Sequence, residues 1–157
     1  MKLRLIHVGK TEESWVREGL DIYSSRLKHY LPFEVIEIPA LKNAKNLTSG
    51  KQKEKEGELI LKAAEGGDRL YLLDEAGKEF SSVTFSQFLQ KQMSGSVRVL
   101  TLAIGGPYGF SEEVYKRAEG RISLSKMTFT HQMVRLFYME QLYRAMTILK
   151  GEKYHHS

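Results

Sequence analysis

The stretch "VRVLTLAIGG", Val97 to Gly106, decides how the rest of the chain reads, together with "RLYLLD", Arg69 to Asp74. These are the most continuous apolar runs in the 157 residues. A strand with one wet face would alternate, so runs of this kind mark central parallel strands buried on both sides. Outward from them, "KLRLIHV" (Lys2 to Val8) and "FEVIEI" (Phe33 to Ile38, between Pro32 and Pro39) alternate as strands do. Trp15, Val16, Leu20, Tyr23 and Leu27 recur at helical spacing between those two strands, and Phe85, Phe88 and Leu89 do so behind Ser/Thr capping candidates. A polar loop, "ALKNAKNLTSGKQKEKEGE", runs into a charged helix whose expected apolar side is Leu59, Ile60, Ala63 and Ala64, its lysines forming a solvated face. Glu112 and Glu113 suit the N-terminus of a further helix after Ser111. A short strand "RISLS" (Arg121 to Ser125) then precedes the loop "KMTFT" and a long last helix. Alternating β and α elements predict an α/β fold, a three-layer α/β/α sheet, in a single domain with no internal repeat.

Composition bounds the function. Hydrophobic residues at 41% and charged residues at 27% are globular values. With no cysteine there is neither a disulfide framework nor a thiolate metal site. No segment reaches the roughly 20 apolar residues of a membrane span, and the N-terminus lacks a signal peptide's apolar run, so a cytosolic protein is expected. The formal charge is +5, and the segment from Lys126 to Ser157 carries five Lys/Arg against two Asp/Glu. A nucleic-acid footprint, if the chain has one, belongs near that end.

In an open α/β sheet ligands collect at the carboxyl ends of the strands, and "IGGPYG" (Ile104 to Gly109) sits at such an end. Gly105 and Gly106 would let a ligand approach the backbone, and Gly109 can take positive φ. A tight turn without a ligand explains the same residues equally well. The spacing is not that of a dinucleotide fingerprint, and no P-loop lysine follows.

The last helix, "HQMVRLFYMEQLYRA" (His131 to Ala145), is too apolar for a surface helix, yet His131, Arg135, Glu140 and Arg144 interrupt it. At 100° per residue apolar side chains fill nearly every other direction. A terminal helix buried on more than one side predicts that one face meets a second copy of the chain, most simply by two-fold symmetry. Its charges then either line polar sites at that seam or form internal ion pairs, Glu140 with Arg144 at i,i+4 and Arg135 with a nearby carboxylate. Spacing favours the ion pairs.

Taken in order across the whole chain, "LLDEAGK", "LAIGGPYG", "SLSKMTFTHQMVR", "EQLYRA" and the ending "GEKYHH" resemble the RlmH family, bacterial SPOUT-class methyltransferases that methylate N3 of a pseudouridine in large-subunit ribosomal RNA. Each motif alone is weak or moderate; jointly they are specific. The resemblance implies a C-terminal trefoil knot, S-adenosyl-L-methionine as cofactor, a homodimer, and action on the assembled ribosome. It implies a cofactor pocket at Leu73, Gly105, Leu124, Ser125, Lys126, Met127, Thr128 and Phe129. His131, Arg135, Arg144 and Tyr154 match positions around the methyl acceptor, with the tail ordering over the partner's site. Thr130 and Lys153 stand where the family usually has proline, which removes two fixed φ angles and leaves loop and tail less preorganised. His155 and His156 read as solvated tail.

A methyl acceptor of this kind is an imide N–H that must lose its proton, and His131 is the candidate base of suitable basicity. Arg144 or Arg135 could stabilise the developing charge or hold a phosphate. The chemistry needs no metal. Two other readings stay open: a noncatalytic ribosome-binding or RNA-binding protein, which need not bind the cofactor, and a SPOUT enzyme acting on another RNA.

Overall fold

A computed structural model describes residues 1–156. Five strands, β1 (Lys2–Val8), β2 (Phe33–Ile38), β3 (Arg69–Glu79), β4 (Val99–Ile104) and β5 (Gly120–Ser123), form one sheet in the order β2-β1-β4-β3-β5, every pairing parallel. β4 lies at its centre, and from Leu100 onward every residue of it is buried, as its unbroken apolar run requires. Five helices cover the sheet: α1 (Ser14–Leu27), α2 (Ser49–Ala63), α3 (Ser82–Ser94), α4 (Glu112–Arg117) and α5 (His131–Leu149).

The two-residue period of the strands sorts their side chains into two cores. Leu3, Leu5, Leu100, Leu102 and Ile104 pack with Leu27, Leu89, Met139 and Leu142 under α1, α3 and α5. Ile6, Val8, Leu70, Leu72 and Ala103 pack with Ile60 and Val114 under α2 and α4. The three-layer α/β/α expectation therefore holds, with β1 and β2 at the bounds read from sequence.

Three local readings change. On the α2 side facing the sheet Ile60 and Ala64 are buried as expected, but Glu56 and Gly57 join them and Leu59 is exposed. β5 ends at Ser123, leaving Leu124 and Ser125 in the loop that follows. β3 runs past Asp74 to Glu79 with a register shift in which Leu73 and Lys78 both oppose Ile122. The bulge between them needs Gly77, where a Cβ would lie 2.6 Å from the carbonyl carbon of Arg121.

His7 is buried on β1, with Nδ1 3.1 Å from the Gly9 carbonyl oxygen. Burial, and then the charge of Arg135, lower its pKa to about 4, with the Gly9 bond opposing. A histidine whose folded pKa lies below its unfolded value stabilises fully above the unfolded value of about 6.5 and loses that contribution as pH falls toward 4. Between pH 7 and pH 5 its loss amounts to roughly 2 kcal/mol. Urea unfolding at the two pH values should show this drop in the wild type and a correspondingly smaller one in His7→Gln; identical drops would mean that His7 is not held neutral.

Candidate active site

The carboxyl ends of β3, β4 and β5 open into a cleft of about 350 Å³, closed on one side by the Gly105–Phe110 turn and on the other by the loop from Leu124 to Phe129. Its walls include Leu73, Ile104, Phe110, Val134 and Tyr138. Gly109 takes φ +83°, and an isolated antiparallel bridge ties it to Gly106. The turn is therefore tight, as its glycines predict. Gly105 has its back to Phe110, where a Cβ would lie 3.1 Å from the ring.

The β3 bulge delivers Asp74 and Glu75 to the cleft wall. The Asp74 side chain accepts from the Ala76 amide at 2.9 Å and from the Tyr115 hydroxyl at 3.0 Å, and Arg121 approaches it at 3.7 Å. Burial and the Asp74 bond raise the Tyr115 pKa, so it remains a donor. Thr128 Oγ1 donates to Glu75 at 3.3 Å, holding the loop to the bulge. Tyr138, buried, donates to the Ile122 carbonyl at 3.1 Å, and burial pushes its pKa up. Among the described residues no lysine or arginine lines the cleft, so its wall charges are two carboxylates beside the titratable His131.

His131 opens α5 at the mouth of the cleft. Thr130, in the place of a proline, is the N-cap: its hydroxyl accepts from the Met133 amide at 3.1 Å. The loop exchanges a fixed φ for a capping bond, so the expected loss of preorganisation is offset at this residue. All the cofactor positions read from the sequence meet in the cleft except Lys126, which is exposed and does not line it.

The other acceptor-side residues lie elsewhere. Arg135 is 2% exposed and faces the end of β1, donating to the Val8 carbonyl at 2.7 Å and the Thr11 hydroxyl at 2.9 Å. Among the described residues it reaches no carboxylate, contrary to the ion pair expected from spacing: its two terminal nitrogens are taken by backbone and hydroxyl oxygens that the β1–α1 loop presents, and Nε has no partner. Burial lowers its pKa, opposed by the charges of Glu37 and Glu12.

Arg144 does form the expected pair, with Glu140 at 2.6 Å. Around that pair gather residues that spacing did not connect. The Tyr154 hydroxyl donates to Glu140 at 2.9 Å and meets the Tyr23 hydroxyl at 3.2 Å. The Arg144 guanidinium lies 4.8 Å from the Tyr154 ring centroid and donates to His155 Nδ1 at 3.2 Å. Burial, Tyr23 and Glu140 raise the Tyr154 pKa. His155 is thus half-buried in a network rather than solvated, while His156 is exposed. Repeated tyrosines at 23, 143 and 154 were the available signal. Among the described residues no group of three or more His, Cys, Asp or Glu is placed to hold a metal ion.

Fold and cleft together define a SPOUT methyltransferase: the sequence pattern of the family described as "Predicted SPOUT methyltransferase" matches residues 1–155. The chain is 58% identical over 156 residues to the ribosomal RNA large subunit methyltransferase H of Parabacteroides distasonis and, to the same degree, to that of Christiangramia forsetii, with 99% of each chain covered in both comparisons. It belongs to that family. A probable methylase family protein from Haemophilus influenzae Rd KW20 shares the fold, with a TM-score of 0.54 at 8% identity over 99% of this chain and 70% of that one.

Arg135→Met removes both donors from the Val8 carbonyl and the Thr11 hydroxyl while keeping an apolar side chain. Leaving two buried acceptors unpaired is expected to cost on the order of 3 kcal/mol in urea unfolding. An unchanged midpoint would show that this guanidinium is not what holds the first loop to the last helix.

Proposed function

We propose that this protein uses S-adenosyl-L-methionine to methylate N3 of a pseudouridine in 23S ribosomal RNA on the assembled ribosome. The observation that carries the reading is the charge of the cleft. A pocket with apolar walls, carboxylates at Asp74 and Glu75 and no lysine or arginine in its lining suits a ligand that is itself cationic and disfavours a nucleoside polyphosphate, with Arg121 meeting Asp74 at 3.7 Å. Its volume of about 350 Å³ falls in the range of small-molecule sites. Leu73, Gly105, Leu124 and Phe129 would hold the cofactor against backbone and apolar surface; Ser125, Met127 and Thr128 complete the loop above it, and Lys126 stands outside.

When bound, the cofactor supplies an electrophilic methyl group on a sulfonium. His131, at the mouth of the cleft, would take the proton from the acceptor nitrogen and so free the electron pair that is to receive the methyl group. The walls would exclude water and hold the two reactants close. Arg144, held by Glu140 and stacked on Tyr154, offers its charge to the developing imidate or to a phosphate.

His131 and Arg144 are separated by 13 positions on one helix, about 20 Å at 1.5 Å per residue. A single chain therefore does not bring them to one nucleotide, and a homodimer in which the tail region of one copy faces the cleft of the other does. Exposed apolar side chains beside the cleft, Met127 at 74% and Phe137 at 40%, suit such a seam. In light scattering at micromolar concentration the protein should run as a dimer; a dominant monomer would remove the composite site. The same reading places the protein in the cytoplasm, with the large ribosomal subunit as partner and with neither metal nor membrane.

The deciding experiment is methyl transfer from labelled S-adenosyl-L-methionine to ribosomes from cells lacking this gene and, separately, to free ribosomal RNA, read by nucleoside mass spectrometry. A methylated pseudouridine formed on ribosomes is expected. No transfer despite cofactor binding would point to another RNA, and no cofactor binding to a noncatalytic protein. His131→Gln should lower turnover at neutral pH by about 100-fold, the lower end of general-base effects.

A further inference from the structure

A nucleotide brings two anionic demands to the acceptor side, the imidate that forms during reaction and the phosphates of its backbone, and α5 has one accessible arginine to meet them. Arg135 is 2% exposed and engaged by the first loop. Arg144 is left, and it shares its charge with Glu140 at 2.6 Å. A second cation stands beside it on α1. The guanidinium of Arg26, in the last turn of that helix, lies 5.1 Å from the ring centroid of Tyr23 and 5.4 Å from that of Tyr143. Those two rings are 5.7 Å apart, and Tyr143 meets the Tyr154 ring edge-on at 4.7 Å. Tyr154 in turn carries Arg144, 4.8 Å from its centroid. One cluster of tyrosines therefore supports both guanidiniums, with the rings of Tyr143 and Tyr154 linking them.

Arg26 is exposed, and among the described residues it forms no ion pair. The carboxylates of the neighbourhood are occupied by other donors. Glu140 accepts from Arg144, Tyr154 and Gln141, and both oxygens of Glu152 lie 2.8 Å from the Tyr30 hydroxyl. A ring face holds a guanidinium by its flat side and cancels none of its charge, so the N–H groups around its rim stay free to donate. A salt bridge would have fixed the same side chain by neutralising it. Holding a long side chain in place beforehand also lowers the entropy lost when it meets a ligand. Of the two arginines on the cluster, Arg26 is the one whose charge is unpaired.

We propose that Arg26 binds a backbone phosphate of the substrate RNA beside the acceptor nucleotide, in the same half-site as Arg144 and Tyr154. This rests on the reading of RNA as the substrate. A flat fork of donors matches the oxygens of a phosphate, and a strand whose acceptor base lies at Arg144 runs past Arg26 with a neighbouring phosphate. Arg144 is then left to the imidate. A phosphate contact sets where the strand lies and reads no base, so Arg26 contributes affinity and placement rather than choice of nucleotide.

The test combines methyl-transfer kinetics on ribosomes from cells lacking this gene with binding of the full chain to the same ribosomes, read by sedimentation over a range of salt. In Arg26→Gln, KM for ribosomes should rise about tenfold, the size of one charge-assisted contact, with kcat at saturation within about twofold of the wild type. The slope of log affinity against log salt should become shallower by about one, because one fewer phosphate is neutralised. KM for the cofactor should not move. Lys62→Gln, an equal loss of charge in the last turn of α2 on the other face of the sheet, should change none of these. Arg26→Lys keeps the charge and loses the flat face, so it should keep the wild-type slope with KM for ribosomes raised about threefold, and it serves if the glutamine variant does not fold. An Arg26→Gln variant with a lowered kcat and an unmoved salt slope would show that the guanidinium merely braces the tyrosines, and that overturns the proposal. Unchanged affinity and KM overturn it too. Wild-type protein that neither binds nor methylates ribosomes would instead overturn the RNA reading, and the role of Arg26 with it, before any variant is compared.

Discussion

Arg135 joins the two ends of the chain. Its guanidinium donates to the carbonyl of Val8, the last residue of β1, and to the hydroxyl of Thr11 in the loop that begins α1. A buried arginine needs oxygens around its fork, and here a turn at Gly9, with φ +84°, shapes the loop so that both terminal nitrogens find one. The bond fixes the rotation of α5 about its own axis. That rotation decides everything the helix carries: Tyr138, Met139 and Leu142 enter the core between α1 and α3, His131 reaches the cleft, and Glu140 with Arg144 faces the tail. In this way one arginine orients both ends of the helix.

The cleft follows from strand direction. Because all five strands run parallel, their carboxyl ends gather on one edge of the sheet, and the loops that leave them must wrap whatever binds there. The Gly105–Phe110 turn and the loop after β5 do this from two sides, and the bulge in β3 closes a third with acidic side chains. A helix N-terminus reaches this edge at His131, as in phosphate-binding proteins, but no lysine or arginine lines the cleft among the described residues, and Asp74 and Glu75 do.

How far the sequence foretold this depends on the range of the interaction. Elements set by local pattern read directly: β1 and β2 to the residue, the capped start of α3 at Ser81, the positive φ of Gly109 and the start of α5. The Glu140–Arg144 pair was legible because i,i+4 spacing is itself geometry. What escaped was set by partners distant in the chain. The extension of β3 depends on Ile122 across the sheet, the oxygens that fill the Arg135 fork come from residues 8 and 11, and the network around His155 is closed by Tyr23. Glu56 looked like one more charge on a solvated helix, since the face of α2 that meets the sheet is chosen by two glycines, one its own neighbour and one in the turn above it. The cofactor positions carried over from the family's motifs do converge in space, apart from Lys126, and that convergence is information the motifs alone did not contain.

The same helix therefore presents two half-sites facing different ways. At its first turn His131 looks into an acidic, apolar-walled cleft; in its last turns Arg144 is braced by Glu140, Tyr154 and His155. Within one chain those ends stay apart, because both lie on one continuous helix that Arg135 anchors near its start. The proposed dimer, two copies related by a two-fold axis, would solve the problem without any new element, since each helix would contribute its beginning to one site and its end to the other. The complete acceptor site would then be a property of the pair alone. In the proposed dimer the tasks would be separate: the cleft would hold its ligand within one chain, and the basic C-terminal segment, with its net +3 from Lys126 to Ser157, would be left to face RNA.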